Sequence, residues 1–472
     1  MGEKTRFYAD IMAFHPEVTG SCLLVVVKYP DGKTHKFMVD CGLFQEKEYS
    51  ELNNKLFCNA DELDFVLVTH NHIDHTGRLP LLMKKGLSNK IYMTKETANL
   101  LPVALEDSTG VLEDVAKRNG EKPLYLEGDV KKTLKNIVPC PFEKKIRLNS
   151  NVSATFFKNG HLVGAALILV QISYPGYEDI NILFTGDYNN KNMFFDVPQI
   201  PEWVRKLPIT IVQESTYGDK KTIDLPPECF ETNVMKAISK GKTVIALVFS
   251  LGRAQEILYV LKTMQQTDKL SKSIPIYFDG KLAFKYTSMY QKSELGIKRE
   301  MKDFLPENLQ YVDSDVRQEL LHDYNTKIIV TTSGMGSYGP AQTYIPAYLQ
   351  REDALIHFTG YTSEGTLGSK LKNAEYGEAV DIGCLLLVKK ADVQYTTEYS
   401  AHAKADEMID FLKSFEDLKL VLINHGQTET KHKFADSVLR QTDAKYVGIL
   451  GEGYLFRVDH YGFVKTMTTK FV

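Results

Sequence analysis

The stretch Thr69-His70-Asn71-His72-Ile73-Asp74-His75-Thr76-Gly77 follows directly on the apolar run Phe65-Val66-Leu67-Val68. Three histidines and an aspartate crowd into residues 70–75, where a buried strand should run out into a loop, and such density serves no packing purpose. Imidazole nitrogen together with carboxylate oxygen suits zinc. In an extended segment alternate side chains point the same way, so His70 and His72 can converge on one ion while Asp74 and His75, past a bend, face a second. Two ions are therefore implied. A solvated polar loop is the bland alternative, and it leaves the clustering unexplained.

Three later residues join this set. His161 lies in Asn159-Gly160-His161-Leu162-Val163-Gly164, where flanking glycines let the backbone turn sharply. Asp187 follows Phe184-Thr185-Gly186, and His425 lies in Leu422-Ile423-Asn424-His425-Gly426, each just past an apolar run. Any one of them alone reads as a turn residue. Loops at the carboxyl ends of strands are where α/β sheets build sites, and together with the cluster these residues complete seven donors. Asp40, at the end of another strand-like run, is either a turn carboxylate or a partner that orients a metal-bound imidazole.

The elements that must position these groups are legible in outline. Residues 22–28 and 36–40 flank Pro30-Asp31-Gly32-Lys33 as a hairpin. Residues 78–85 and 94–118 read as helices, the second ended by Asn119-Gly120, and 91–94, 154–158, 166–173 and 181–185 as strands. This alternation argues for α/β architecture. From about Glu214 to Gln394 a second α/β unit emerges, with strands at 244–249, 274–278, 328–332 and 355–358 and helices at 252–266 and 340–350. Ser400-Ala401-His402, a helix over 403–414 and the His425 strand then resume the first. The division expected is 1–210 and 395–472 for one domain, with 211–394 inserted into it.

Composition narrows the field. A chain of 472 residues, 43% hydrophobic and 25% charged, is long enough for two or more domains of ordinary globular character. With 57 basic against 60 acidic residues the net charge is -3, so any nucleic-acid surface is a local patch. The six cysteines lack C-x-x-C pairing, which argues against a zinc ribbon or disulfide scaffold and for a reducing, cytoplasmic setting. No signal-like apolar core and no run near the ~20 residues of a membrane span is present, so no membrane role is expected.

The motifs together carry a family likeness. The His70 cluster, Gly160-His161, Thr185-Gly186-Asp187, Glu214-Ser215-Thr216-Tyr217-Gly218, Gly252-Arg253-Ala254-Gln255-Glu256, Thr332-Ser333-Gly334-Met335, Gly360-Tyr361 with Gly365-Thr366-Leu367-Gly368, Ser400-Ala401-His402 and Asn424-His425-Gly426 resemble the metallo-β-lactamase-fold nucleases with a β-CASP insertion. Among these are the nuclease subunit of the cleavage and polyadenylation factor and its bacterial and archaeal relatives. The histidine cluster alone marks only the hydrolase superfamily; the Glu-Ser-Thr-Tyr-Gly, Gly-Arg-Ala-Gln-Glu and Ser-Ala-His motifs are far narrower. Asp279-Gly280-Lys281 departs from the pattern, since relatives often place a proline after the small residue.

The resemblance implies an α/β protein: a four-layer αβ/βα sandwich with an inserted α/β β-CASP domain. It implies two Zn2+ per chain, with His70, His72 and His161 on one, Asp74, His75 and His425 on the other, and Asp187 bridging. The activity implied is hydrolysis of RNA phosphodiester bonds, in RNA processing or decay, by a two-metal-activated hydroxide. Asp74 would hold or accept the proton of the attacking water, and His402, oriented by Glu214, would protonate the leaving oxygen. Ser333, Gly334, Gly336 and the Gly365-Thr366 turn are candidate phosphate contacts through backbone N–H groups, with Arg253, Lys281 and Lys370 as candidate charges. His425 resembles the RNA-acting branch. Endonucleolytic cutting is favoured, with 5′-exonucleolytic cutting left open, and a DNA nuclease, a small-molecule metallo-hydrolase and a non-catalytic scaffold subunit are the competing readings. A homodimer is compatible with the sequence, and no small-molecule cofactor is expected.

Overall fold

Phe65-Val66-Leu67, the run before the histidine cluster, forms a fully buried strand that pairs in parallel with Thr34–Val39 on one side and Ile91–Thr94 on the other. Burial on both faces is what a continuous apolar run requires. The computed structural model describes residues 7–222, 229–360, 362, 366–396 and 398–468. These divide into Met1–Ile223 with His402–Val472, and Asp224–Ala401.

The first unit contains two sheets. One runs, in spatial order, Gly462–Thr468, Tyr454–Asp459, Tyr8–Ala13, Leu23–Lys28, Thr34–Val39, Phe65–Leu67, Ile91–Thr94, Ile137–Cys140. The other runs Val447–Ile449, Asp417–Asn424, Pro208–Glu214, Ile180–Phe184, Ala166–Ile172, Val152–Lys158, Ile146–Arg147. Ile11, Val25, Phe37, Val39 and Phe65 from the first sheet pack against Phe156, Ile168, Val170, Ile182 and Leu422 from the second. Each outer face is covered by helices. Leu79, Leu82, Leu101, Leu105 and Val130 lie over the first sheet, and Val204, Met408, Leu412, Phe434 and Val438 over the second. The result is the four-layer αβ/βα sandwich.

The second unit is built on a parallel sheet ordered Leu309–Tyr311, Ile276–Asp279, Ile328–Thr331, Thr243–Leu247, Ala354–Phe358, Asp392–Tyr395. Tyr344, Ile345, Tyr348 and Leu371 cover one face of it.

The boundaries between units fall at 223/224 and 401/402, where the sequence reading puts them at 210/211 and 394/395. Pro208–Glu214 pairs in parallel with both Ile180–Phe184 and Asp417–Asn424. A cut at 210 would sever a central strand of the first unit. Sequence periodicity also passes over the largely buried strand Tyr8–Ala13 and the half-exposed hairpin Tyr454–Asp459/Gly462–Thr468, which become strands because Tyr8–Ala13 pairs with Tyr454–Asp459 across the chain. In the second unit, Tyr361 and Gly365 lie outside the described residues.

Ile182 is fully buried between the two sheets. Ile182→Ala is expected to cost about 2–5 kcal/mol, read as a lowered denaturation midpoint with the metal content of the surviving folded protein unchanged.

Candidate metal centre

Six strands deliver polar residues at their carboxyl ends. Phe65–Leu67 leads to His70, Val152–Lys158 to His161, Ile180–Phe184 to Asp187, Asp417–Asn424 to His425, and Thr34–Val39 to Asp40, while Pro208–Glu214 ends on Glu214 itself. The parallel register sets Glu214 opposite Asn424, beside His425. Asp74 and His75 sit in one short helical turn, Ile73–Thr76, not on an open bend. Gly42 makes room for that turn: a Cβ on it would come within 1.5 Å of the Asp74 carbonyl oxygen.

The seven expected donors fall into two groups, His70 with His72, His161 and Asp187, and Asp74 with His75 and His425. In each group one donor atom per residue lies within 4.8 Å of every other. His72 Nδ1 stands 3.1 Å from His161 Nε2, and His75 Nε2 stands 3.3 Å from His425 Nε2. Asp187 reaches both groups. Its Oδ2 is 3.6 Å from His70 Nε2 and 3.6 Å from His161 Nε2, and its Oδ1 is 3.3 Å from His75 Nε2. Asp74 Oδ2 is farther out, 4.0 Å from His75 Nε2 and 4.0 Å from His425 Nε2.

These residues fit a divalent ion. Zinc–nitrogen bonds of about 2.0–2.1 Å in a tetrahedron put neighbouring ligand atoms roughly 3.3 Å apart, close to the edges above. His70 Nε2 and Asp187 Oδ1 are buried without a hydrogen-bond partner among the described residues. Leaving such groups unpaired in a dry interior is costly, and a cation satisfies both.

The neighbours of the donors fix which nitrogen is free. His75 Nδ1–H donates to Asp40 Oδ2 at 2.8 Å, which turns Nε2 into the site. Thr69 Oγ1 donates to the same Asp40 oxygen at 2.7 Å and, 3.1 Å from His70 Nδ1, accepts from it in turn, so His70 Nε2 is free as well. Asn159 ties two loops together: its Oδ1 accepts from the His161 backbone N–H at 2.8 Å and its Nδ2 donates to the Thr185 carbonyl at 2.9 Å. Thr216 Oγ1 lies 3.1 Å from His425 Nδ1. Asp40 and His425 both adopt left-handed backbone conformations, φ 59° and 48°, which non-glycine residues hold only where the surroundings impose them.

His402 stands apart from both groups. Its Nδ1 is 2.9 Å from Glu214 Oε1, and its Nε2 is 3.9 Å from Asp187 Oδ2. Glu214 is itself fixed by the backbone N–H groups of Tyr188 at 2.7 Å and Thr216 at 2.9 Å.

Electrostatics separates the imidazoles. Burial holds His70 well below the ordinary histidine range and His72 down to about 4, so both rings are neutral at pH 7. At His75 burial works the same way, but the carboxylates of Asp187 and Asp40 outweigh it and raise the pKa. At His402 burial is likewise outweighed, here by the Glu214 carboxylate and its hydrogen bond, and the pKa rises. Burial pushes Asp187 up, yet His425, His75 and His70 together draw it well below the usual carboxylate range.

Thr69, Asn159 and Thr216 are site residues that donor spacing does not single out. Thr69 and Asn159 are signalled only by adjacency to His70 and to Gly160-His161, and Thr216 by its place in the Glu214-Ser215-Thr216-Tyr217-Gly218 motif.

The expected substrate contacts all belong to the second unit. Arg253 is buried, its Nη1 donating to the Thr359 carbonyl at 2.7 Å and its Nε 3.1 Å from Glu256 Oε2. The backbone N–H groups of Ser333 and Gly336 are spent within their own turn, on Tyr338 and Ser333 carbonyls at 3.0 Å each. Thr366 Oγ1 accepts from the Ser369 N–H as a helix cap. Gly334 packs tightly against Phe249, whose ring lies 3.0 Å from where a Cβ would stand.

Three family models match this chain: the metallo-beta-lactamase superfamily over residues 15–144, the Beta-Casp domain over 254–371, and the Zn-dependent metallo-hydrolase RNA specificity domain over 387–447. Curated relatives extend the likeness to most of its length. Transcription termination factor FttA of Methanosarcina mazei is 28% identical over 90% of this chain and 68% of its own. A ribonuclease of Thermus thermophilus is 29% identical, covering 88% of this chain and 91% of its own. Integrator complex subunit 11 of Danio rerio is 27% identical, over 89% and 69%.

Asp40→Ala removes the acceptor that orients His75 and leaves Thr69 without its partner. Metal affinity should fall about 10- to 100-fold, measured by titrating the metal-free protein with zinc against a competing chelator.

Proposed function

Because the chain belongs to the metallo-β-lactamase superfamily and carries its Beta-Casp domain, we propose that it is a zinc-dependent ribonuclease that hydrolyses phosphodiester bonds of RNA. Three of its relatives' features support this: a matched RNA specificity domain, a relative named as a ribonuclease, and likeness along nearly the whole chain. The observation that carries the two-zinc reading is the placement of Asp187, with one carboxylate oxygen toward each group of donors. His70, His72 and His161 would hold one zinc, Asp74, His75 and His425 the other, and Asp187 both. Bound there, zinc supplies Lewis acidity toward phosphoryl oxygen and lowers the pKa of water to about 7.

The chain's own groups then handle the protons. Asp74, whose side chain keeps 17% of its surface exposed, holds or accepts the proton of the attacking water. Glu214 fixes Nδ1–H of His402 and so leaves Nε2 to carry a proton toward the leaving oxygen. Burial lowers the His402 pKa, but Glu214 outweighs it and raises the pKa, which favours the protonated ring that a general acid requires. In the second unit, Ser333, Gly334, Arg253 and Thr366 are proposed to shape the strand-end turns that meet RNA phosphates, Arg253 by holding the Thr359 carbonyl and the others through the turns themselves. No helix among the described residues is long and apolar enough to cross a membrane.

Elemental analysis with cleavage of matched RNA and DNA oligonucleotides tests this reading. About two zinc ions per chain and preferential cutting of single-stranded RNA are expected. Equal or better cutting of DNA at matched salt would replace it with the DNA-nuclease reading.

A second measurement isolates His402. His402→Ala should keep both zincs and bind RNA almost normally, yet cleave slower by ~10²–10⁴. The sign of the pH dependence follows from the raised pKa: activity is present below it and lost as pH rises through it, so the basic limb of the wild-type profile should vanish in the variant. A substrate with sulfur as the leaving atom should recover much of the variant's rate, and should not rescue His75→Ala.

A further inference from the structure

His425 must hold a left-handed backbone, φ 48°, in order to present its ring, and such a turn persists only when its surroundings over-determine it. The Ser215 N–H donates to the His425 carbonyl at 3.0 Å, and hydrogen bonds from two further segments flank the turn. On one side the Gly426 N–H donates to the Glu17 carbonyl at 3.3 Å, and Thr428 Oγ1 donates to Glu17 Oε1 at 3.2 Å. On the other the Leu450 N–H donates to the carbonyl of Ile423, two residues before His425, at 2.9 Å. The two gripping segments, 15–17 and 449–451, are far apart in the chain.

Lys431 joins them. It lies on the helix Thr428–Gln441 that starts just after the turn, and only 1% of its surface is exposed. Its Nζ donates to the Pro16 carbonyl at 2.7 Å and to the Leu450 carbonyl at 2.9 Å. Among the described residues no carboxylate pairs with this ammonium within 4.0 Å, and burial lowers its pKa. Gly451 closes the same junction, since a Cβ there would come within 2.4 Å of the His15 carbonyl oxygen. Glu452 and Glu17 act on this ammonium only from a distance, and a buried ammonium without a paired carboxylate is a poor stabilising device, because an apolar side chain of similar shape is commonly as good or better for stability. Its two carbonyl partners point instead to a geometric task.

We propose that Lys431 is a positioning residue for the donor group Asp74, His75 and His425: its ammonium clamps the Pro16 and Leu450 segments together, and through them fixes the His425 turn. This rests on the two-metal reading above. The amine touches neither metal donors nor substrate; it acts through backbone.

The test titrates the metal-free, full-length protein with zinc, or with cobalt as a spectroscopic probe, in wild type, Lys431→Met and Lys431→Gln, alongside thermal denaturation. Wild type should take two metals; fewer than two would defeat the two-metal reading before any variant is considered. Lys431→Met keeps the side-chain volume and is expected to hold the wild-type melting temperature, to bind one metal normally, and to bind the other about 10- to 100-fold more weakly. Its kcat should fall at low metal and recover when metal is raised, with KM for RNA unchanged. Lys431→Gln keeps amide N–H donors and should regain part of the lost affinity, and it serves as the reading if Lys431→Met does not fold. Two undiminished metal affinities in the neutral variants, or an equal loss of both metals together with a lowered melting temperature, would overturn the proposal in favour of a purely structural lysine.

Discussion

A carboxylate set in a dry interior between two clusters of imidazoles governs the architecture of the first unit. Asp187 is 2% exposed, and a charge so deeply buried is tolerable only when opposite charge or hydrogen-bond donors surround it. Its position is secured by Gly186, which runs so close to Thr69 that a Cβ would meet the threonine Cβ at 2.7 Å. Thr69 is itself bonded to Asp40, which holds His75. One packed chain of contacts thus links the Asp187 loop, the histidine cluster and the Asp40 turn. Movement at any link would be felt at both groups of donors.

The sandwich supplies the rigidity that this arrangement requires. Strands packed on both faces cannot slide without unpairing their ladders, so side chains projecting from their carboxyl ends inherit fixed positions. The same framework gives the imidazoles different properties from one side-chain chemistry. Burial favours the neutral form of His70 and His72, whereas at His402 the Glu214 carboxylate outweighs burial and raises the pKa. His75, raised by the carboxylates of Asp187 and Asp40, shows the same balance of burial against neighbouring charge.

The second unit directs its polar residues inward. Asp279, where the sequence departs from the family pattern, is buried and receives Arg317 through two hydrogen bonds of 2.6 and 2.8 Å and the Tyr344 hydroxyl at 2.8 Å. Gly280 after it passes so near Thr332 that a Cβ would sit 2.6 Å from Oγ1. The departure from proline therefore leaves a tightly filled strand end.

The clustering of candidate donors was legible in the linear chain, because a metal site needs particular side chains at short spacing and His70, His72, Asp74 and His75 supply both. Fold class was legible too, because apolar runs with helical stretches between them have few ways to bury themselves. The strand Tyr8–Ala13, which pairs with Tyr454–Asp459, and the membership of Pro208–Glu214 in the first unit, where it pairs with Asp417–Asn424, were decided only in three dimensions, because strand pairing joins residues hundreds of positions apart. Thr69, Asn159 and Lys431 carry no motif of their own, and Thr216 stands in one without showing its task. Their importance comes from hydrogen bonds to groups that only the folded chain brings within reach: a sequence records which donors and acceptors exist, and tertiary structure alone determines which of them meet.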